Sequence, residues 1–317
     1  MIRFTLSSIF ALCLTPLTAH AVAIEWATVA NPGNAADPDT GLGSVAEVYR
    51  ISQFEVTNAQ YAEFLNAVAA TDPVALYNTQ MDSSTHGGIT RSGSPGGFLY
   101  AVKPGMGNKP VNFVSFYDAL RFANWLHNGQ PVGEQGATTT EDGAYTLLGG
   151  MPEPTNRLDT PRNSAATVFL PSEDEWYKAA FYNAVLSSYL DYPAGTNAQT
   201  VCALPGATPN TANCESVVGS VTEVGAYTGS ASPNSTFDQG GNVWEWNEGH
   251  NGSLRGLGDG SFDRSSSELA ASDRNYSDPL GENETFGFRV ASVPEPGTGL
   301  LLMSGLLVLA SWHRHVG

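Results

Sequence analysis

The chain has 317 residues and a formal net charge of −17, with 31 acidic residues against 14 basic ones. This charge argues against nucleic acid or an anionic membrane surface as the main partner. Only 14% of the residues are charged, compared with about 25% in ordinary globular domains, and glycine and proline are frequent. Much of the chain is therefore expected to be loop.

Residues 1–23 have the pattern of a secretory signal peptide. Arg3 precedes an apolar run from Phe4 to Leu17, and small-residue cleavage patterns end at Ala21 and Ala23. The run is too short to span a membrane, so cleavage after Ala21 or Ala23 is expected rather than anchoring. The sequence predicts an exported protein whose main domain covers residues 24–292.

The cysteine count agrees with export. Cys13 leaves with the signal peptide, and Cys202 and Cys214 remain as an even pair. In an oxidising compartment the default for such a pair is a disulfide, with a redox or metal role as the alternative.

Three helices are predicted from N-cap residues that precede helically spaced apolar side chains. The candidate N-caps are Thr57, Ser115 and Ser172, and Gln60 and Glu175 complete capping boxes for the first and third helices. The apolar positions of the three helices are Tyr61, Phe64, Leu65 and Val68; Ala119, Phe122, Ala123 and Leu126; and Trp176, Ala179 and Ala180.

Short strands are predicted between and after these helices. Residues 144–147 read as one short strand, and residues 285–291 read as a single closing strand. Helices, short strands and long loops together predict an α+β fold with a large irregular fraction.

Residues 238–246 contain the strongest strand signal, a two-glycine turn followed by alternating side chains. The period of a strand places Trp244 and Trp246 on one face and Val243 and Glu245 on the other. Two large aromatic side chains need an apolar partner surface, so this strand is expected in the core.

The same stretch offers a set of oxygen donors. The side chains of Asp238 and Glu245 and the carbonyls of Gly241 and Val243 are hard ligands of the kind that calcium prefers. The alternative is a buried hairpin on which Glu245 faces solvent.

The C-terminal segment 293–317 has three parts. A Val-Pro-Glu-Pro-Gly sequence at 293–297 precedes an uncharged apolar run from Gly299 to Trp312 and a basic end at 313–315. A helix of that run would span only about 21 Å, short of the ~30 Å hydrocarbon core, although its basic end is placed as a cytoplasmic anchor.

This segment resembles the PEP-CTERM sorting signal of Gram-negative bacteria. The resemblance implies transient inner-membrane retention, processing by an exosortase, and release to the cell surface or extracellular matrix. An ordinary C-terminal membrane anchor is the alternative.

Six segments in the intervening region resemble, in order, the motifs of the formylglycine-generating (sulfatase-modifying) enzyme family. They are residues 54–65, 110–119, 170–176, 241–246, 253–256 and 287–290, and they extend over about 240 residues. The resemblance implies a compact, loop-rich fold related to C-type lectin domains. It also favours a structural calcium, because the family's calcium ligands carry over by position to Asp238, Gly241, Val243 and Glu245.

The chemistry departs from the family pattern. The family's oxidases use two copper-binding cysteines that follow an Arg-Gly-Gly-Ser motif. Here that motif is interrupted between Arg255 and Ser261, and no cysteine follows in residues 263–270. Since a thiolate is what selects Cu(I), copper and the formylglycine reaction are not expected.

Iron-dependent relatives of the family bind iron through clustered histidines and a carboxylate. The predicted mature domain has only His86, His127 and His250, and no two of them have His-x-x-x-His spacing. No catalytic or cofactor-binding residue is therefore assigned.

Two functions follow from these observations. The first is a catalytically silent surface or matrix protein that binds a peptide or an extracellular polysaccharide and has exosortase and the secretion machinery as partners. The alternative is a metal-dependent oxidoreductase of the non-heme iron type with an unidentified site.

Overall fold

The computed structural model describes residues 21–294. The predicted signal peptide up to residue 20 and the predicted sorting segment from residue 295 onward lie outside the described residues. Within residues 21–294, no helix is both long enough and apolar enough to cross a membrane.

Four α-helices and one 3-10 helix occur in the described part of the chain. They are α1 (Asn58–Val68), α2 (Gln80–Ser83), α3 (Phe116–His127), α4 (Glu173–Phe181) and the 3-10 helix Ser266–Leu269. The three predicted helices are confirmed as α1, α3 and α4. Each begins with a complete capping box at its predicted N-cap residue, because these helix starts are encoded by residues only three positions apart.

Fourteen short strands form the rest of the regular structure in residues 21–294. They are β1 (Trp26–Val29), β2 (Tyr49–Ser52), β3 (Ile89–Ser92), β4 (Leu99–Val102), β5 (Val168–Phe169), β6 (Tyr182–Asn183), β7 (Ser188–Tyr189), β8 (Val201–Cys202), β9 (Thr211–Ala212), β10 (Trp244–Asn251), β11 (Leu254–Gly258), β12 (Asn275–Ser277), β13 (Phe286–Phe288) and β14 (Ala291–Ser292).

Two four-stranded sheets organise the domain. One has the order β1-β2-β14-β5, and the other has the order β12-β11-β10-β13. In the second sheet β10 pairs antiparallel with β11 and parallel with β13. The strand pairs β3-β4, β6-β7 and β8-β9 lie outside the two sheets. The predicted α+β class is confirmed.

The main core lies where α1 and α3 meet β13. The ring of Phe122 on α3 packs edge-on against Phe64 of α1 at 5.3 Å and against Phe288 of β13 at 5.4 Å between centroids. Tyr61 of α1 joins the same cluster. Edge-to-face packing at these distances is favourable for aromatic rings, so the cluster joins both helices to the sheet that contains β10.

The prediction of a strand at residues 144–147 is wrong. The backbone of Tyr145 pairs with a side chain on α3, since its N–H donates to Asn124 Oδ1 at 2.7 Å and its carbonyl accepts from Asn124 Nδ2 at 2.9 Å. An asparagine amide carries both N–H donors and an oxygen acceptor, so Asn124 takes the place of a neighbouring strand at Tyr145.

The prediction of one closing strand at residues 285–291 is wrong in its continuity. The segment contains β13 and the start of β14, which belong to different sheets. Between them lies Arg289, whose fully buried side chain reaches across to Glu245. The predicted single strand is therefore interrupted at Arg289, where the side chain enters the core and the chain passes from one sheet to the other.

Cys202 and Cys214 form a disulfide, as predicted, with their Cα atoms 5.0 Å apart. The bond lies beside the parallel pair of β8 and β9, and Cys214 is fully buried against Ala212 and Leu269. The disulfide therefore fixes an irregular loop against the main body of the domain.

Candidate functional site

The stretch 238–246 leads into β10, and its two tryptophans lie in the core as predicted. Trp246 is 0% exposed and donates its indole N–H to the Val114 carbonyl at 3.0 Å. Its ring packs edge-on against Phe116 at 6.1 Å and against Phe286 at 5.2 Å. Trp246 therefore joins β10 to α3 and β13 through aromatic contacts.

Glu245 is 1% exposed, so the alternative in which it faces solvent is wrong. Its two oxygens accept hydrogen bonds from Arg289, with Nε 2.5 Å from Oε2 and Nη2 2.7 Å from Oε1. Oε2 also accepts the indole N–H of Trp176 at 2.6 Å. A bidentate guanidinium–carboxylate pair of this kind is among the strong interactions of a protein interior.

The turn before β10 is tightly constrained. Gly241 has a φ of +91°, and a Cβ at this position would lie 2.4 Å from the Asn213 carbonyl oxygen. Only glycine fits both the backbone conformation and the space. The turn therefore holds Asp238 at a fixed position near the buried Glu245–Arg289 pair.

Two further carboxyl groups lie near that pair. Asp238 accepts a hydrogen bond from the Gly225 N–H at 2.5 Å, and burial raises its pKa to about 6. The pKa of Glu55 is also raised, by its own burial and by the charges of Asp238 and Glu245. Its Oε1 accepts from Asn242, whereas its Oε2 has no hydrogen-bond partner. The turn is thus bordered by more carboxyl groups than Arg289 alone can neutralise.

The four predicted calcium ligands can be tested against this geometry. Calcium needs carboxylate oxygens that are free to coordinate it, but the carboxylate of Glu245 already binds a guanidinium. The Glu245 carboxylate is therefore not free as the sequence prediction requires, and the calcium ion at Asp238, Gly241, Val243 and Glu245 stays a prediction.

Adding a chelator distinguishes a Glu245 that is paired only with Arg289 from a Glu245 that binds calcium. Because both oxygens of Glu245 already bind Arg289, we expect no change in melting temperature when EDTA is added to protein purified with calcium. The measurement is differential scanning calorimetry.

A calcium site would give a different result. Binding to the folded state alone stabilises by about 2.7 kcal/mol at a hundredfold excess over Kd. A fall of several degrees on chelation, which disappears in the Glu245→Gln variant, would establish the calcium site and contradict our expectation.

The three histidines lie in separate surroundings. His86 stacks on Phe262 at 5.3 Å, and His127 Nδ1 lies 2.8 Å from the Thr167 hydroxyl. His250 is exposed near the end of β10. In the described part of the chain they do not form a common cluster with a carboxylate.

A cavity of about 290 Å³ opens at the outer end of β10 and β11. It is lined by Phe116, Leu158, Asp159, Thr160, Pro161, Arg162, Glu248, His250 and Arg255. Ser261 does not line it; its hydroxyl donates to Asp263 at 2.6 Å. Of the two residues at the ends of the interrupted motif, Arg255 therefore lines this cavity and Ser261 does not.

Arg162 and Glu248, which the sequence did not single out, organise the floor of this cavity. Arg162 Nη2 lies 2.6 Å from Glu175 Oε2 and 2.8 Å from Glu248 Oε2. Glu248 also accepts the Tyr145 hydroxyl at 2.5 Å, and burial raises its pKa. These residues come from a loop, a helix and a strand, so no local motif could have identified them.

The profile of the sulfatase-modifying factor enzyme 1-like domain matches residues 35–293, and that of the PEP-CTERM protein-sorting motif matches residues 292–314. The fold and the order of its motifs thus define a mixed α+β domain of the kind related to C-type lectins. The chain belongs to the sulfatase-modifying factor enzyme 1-like family and carries a PEP-CTERM sorting motif, which supports export and sorting to the cell envelope or surface. A comparison with curated proteins gives no match.

Solved structures confirm the fold. The chain is 21% identical to Treponema denticola variable protein 1, with a TM-score of 0.57 over 88% of this chain and 100% of that one. It is 20% identical to CarF, with a TM-score of 0.55 over 86% of this chain and 99% of that one. At these identities the likeness concerns the fold alone.

Proposed function

We propose that the chain is an exosortase-sorted surface or matrix protein whose domain is catalytically silent and binds a peptide or an extracellular polysaccharide. The observation that supports this most directly concerns thiols. The only two cysteines of the predicted mature chain, Cys202 and Cys214, are bonded to each other. No thiolate follows Arg255 at the position where the family's oxidases bind copper, so the reaction lacks its ligands.

An activity assay tests catalytic silence. Purified protein is incubated with a Cys-x-Pro-x-Arg peptide, with and without copper, and formylglycine is measured by mass spectrometry. We expect no product above a control without protein, because a disulfide sulfur cannot bind Cu(I) as a thiolate does. Turnover above that control, or stoichiometric iron or copper in the purified protein, would favour the oxidoreductase alternative.

The second part of the proposal concerns the sorting segment, residues 293–317. Exosortase and the secretion machinery are its partners, and the segment is held transiently in the inner membrane before release. β14 ends at Ser292, and beyond it the Val293 N–H donates to the Thr167 carbonyl at 3.2 Å. Deleting residues 293–317 therefore removes this hydrogen bond but no residue of any strand.

We expect this deletion to move the protein from the cell-associated fraction into the medium. Immunoblots of both fractions measure the effect, and an unchanged melting temperature confirms that the domain is folded. If the truncated protein distributes as the full chain does, the sorting role is wrong.

A further inference from the structure

We propose that the predicted signal peptide is cleaved between Ala21 and Val22, and that the new α-amino group of Val22 binds the side-chain oxygen of Gln130. The sequence alone leaves cleavage after Ala21 or after Ala23 open. The inference goes beyond the proposed binding function, because it assigns a processing site and the first residue of the mature chain. It rests on the contacts that hold residues 22–25 to the domain.

The backbone of Val22 is held by a single side chain. Its N–H donates to Gln130 Oε1 at 2.6 Å, and its carbonyl accepts from Gln130 Nε2 at 2.8 Å. The amide of Gln130 thus pairs with both backbone polar groups of a residue 108 positions away in the chain. Two hydrogen bonds fix the direction of the chain as well as its position, so Val22 is a specific part of the folded domain.

Gln130 is itself held in place by the end of α3. Its φ is +60°, and its N–H donates to the Trp125 carbonyl at 2.9 Å, which closes the turn after the helix. A positive φ is uncommon for a residue with a Cβ. The backbone that places the Gln130 amide beside Val22 is therefore set by the helix end rather than by the N-terminal segment.

The side chain of Val22 is also accommodated. It is 9% exposed and belongs to the main core, whereas the preceding residue, Ala21, is exposed. Removing the apolar surface of a valine from water favours the folded state. The boundary between exposed and buried chain therefore falls at the bond that we propose is cleaved.

The next residues are connected to the domain by further hydrogen bonds. The Ala23 carbonyl accepts from Gln60 Nε2 at 2.9 Å, and Gln60 Oε1 accepts the Thr57 N–H in the capping box of α1. The Glu25 carbonyl accepts from the Gln53 N–H at 2.8 Å. This segment is thus attached to the start of α1 and to the residue after β2 before β1 begins.

The two possible cleavage products differ in these contacts. A chain that begins at Val22 keeps all of them, and its N–H becomes an ammonium group, whose charge strengthens the bond to Gln130 Oε1. A chain that begins at residue 24 loses the buried Val22 side chain and the hydrogen bonds from both glutamines. The longer product is therefore the one that the domain accommodates.

The shorter product has one favourable feature. Its first residue, Ile24, lines a cavity of about 400 Å³ whose charged lining residues are Glu25, Glu55 and Glu223. Glu25 and Glu223 are exposed, and attraction between exposed charges is weak in water. The raised pKa of Glu55 reduces its charge. An ammonium group at Ile24 therefore does not compensate for the contacts that this product loses.

The first test identifies the N-terminus. The full chain is expressed in a Gram-negative host, and the processed protein is purified from the cell envelope and the medium. N-terminal sequencing and mass spectrometry of the N-terminal peptide should show Val22 as the first residue. An N-terminus at residue 24 or at any other position, or an uncleaved chain, overturns the proposal.

The second test concerns the bond between Val22 and Gln130. Deleting residues 22 and 23 from the full chain joins Ala21 to Ile24, so that cleavage after Ala21 gives a protein that begins at residue 24. We expect its melting temperature to be several degrees below that of the wild type. Gln130→Leu should lower the melting temperature of the wild type but not that of the deletion variant, because the partner is already absent there.

The matched control is Gln80→Leu, since Gln80 is exposed and its side chain makes no hydrogen bond to any described residue. This variant should melt as the wild type does. Equal effects of Gln130→Leu in the wild type and in the deletion variant would show that Gln130 does not act through Val22, and would overturn the docking of the N-terminus. An unchanged melting temperature of the deletion variant would do the same.

Discussion

Replacing Arg289 by methionine is expected to destabilise the domain by about 3–5 kcal/mol, because it leaves a buried carboxylate without its counter-charge. Glu245 would keep only the indole N–H of Trp176. Arg289 also donates to the Ser52 carbonyl at 2.9 Å and to the Phe237 carbonyl at 2.9 Å. Urea unfolding followed by tryptophan fluorescence measures the loss.

The matched control is Arg274→Met, which breaks a partly exposed ion pair with Glu173. Such pairs contribute roughly 0–1 kcal/mol, so the control should lose far less stability. The double variant Glu245→Gln/Arg289→Met should recover part of the loss, because residue 245 is then no longer a buried carboxylate without its counter-charge. Equal losses from the two single arginine variants would contradict the buried pair as the main electrostatic contact of the core.

Replacing Trp246 by alanine is expected to cost about 3–5 kcal/mol as well, through the cavity it opens. The indole is fully buried, contacts Phe116 and Phe286, and satisfies the Val114 carbonyl. Thermal and urea unfolding measure this loss. The control is Trp26→Ala, since Trp26 is only partly buried on the edge strand β1. A loss no larger than that of the control would show that β10 is not anchored by its aromatic residues.

The sequence predicted the elements whose signals are local. A capping box needs residues three positions apart, so the starts of α1, α3 and α4 follow directly from Thr57, Ser115 and Ser172. The tryptophan pair of β10 follows from strand alternation alone. The Cys202–Cys214 disulfide could be predicted from the even number of cysteines in the predicted mature chain and from the oxidising compartment expected for an exported protein.

The wrong predictions and the missed residues all involve interaction partners that are distant in the chain. The solvent-facing alternative for Glu245 is wrong, and nothing near this residue in the sequence indicates its partner, an arginine 44 positions away. Tyr145 has strand-like neighbours, but its backbone partner is a side chain of α3. The same limit applies to the cavity, where Arg162 and Glu248 meet through an ion pair between residues 86 positions apart.

The position of β14 has a mechanical consequence for a protein held by its C-terminal segment. β14 lies between β2 and β5, and both of its neighbours run antiparallel to it. Tension applied through residue 293 along the strand direction would load these perpendicular hydrogen bonds together, in shear, rather than peel them off one by one. Any tension transmitted through residue 293 would therefore act on an inner strand of the sheet, where hydrogen bonds to β2 and to β5 share the load.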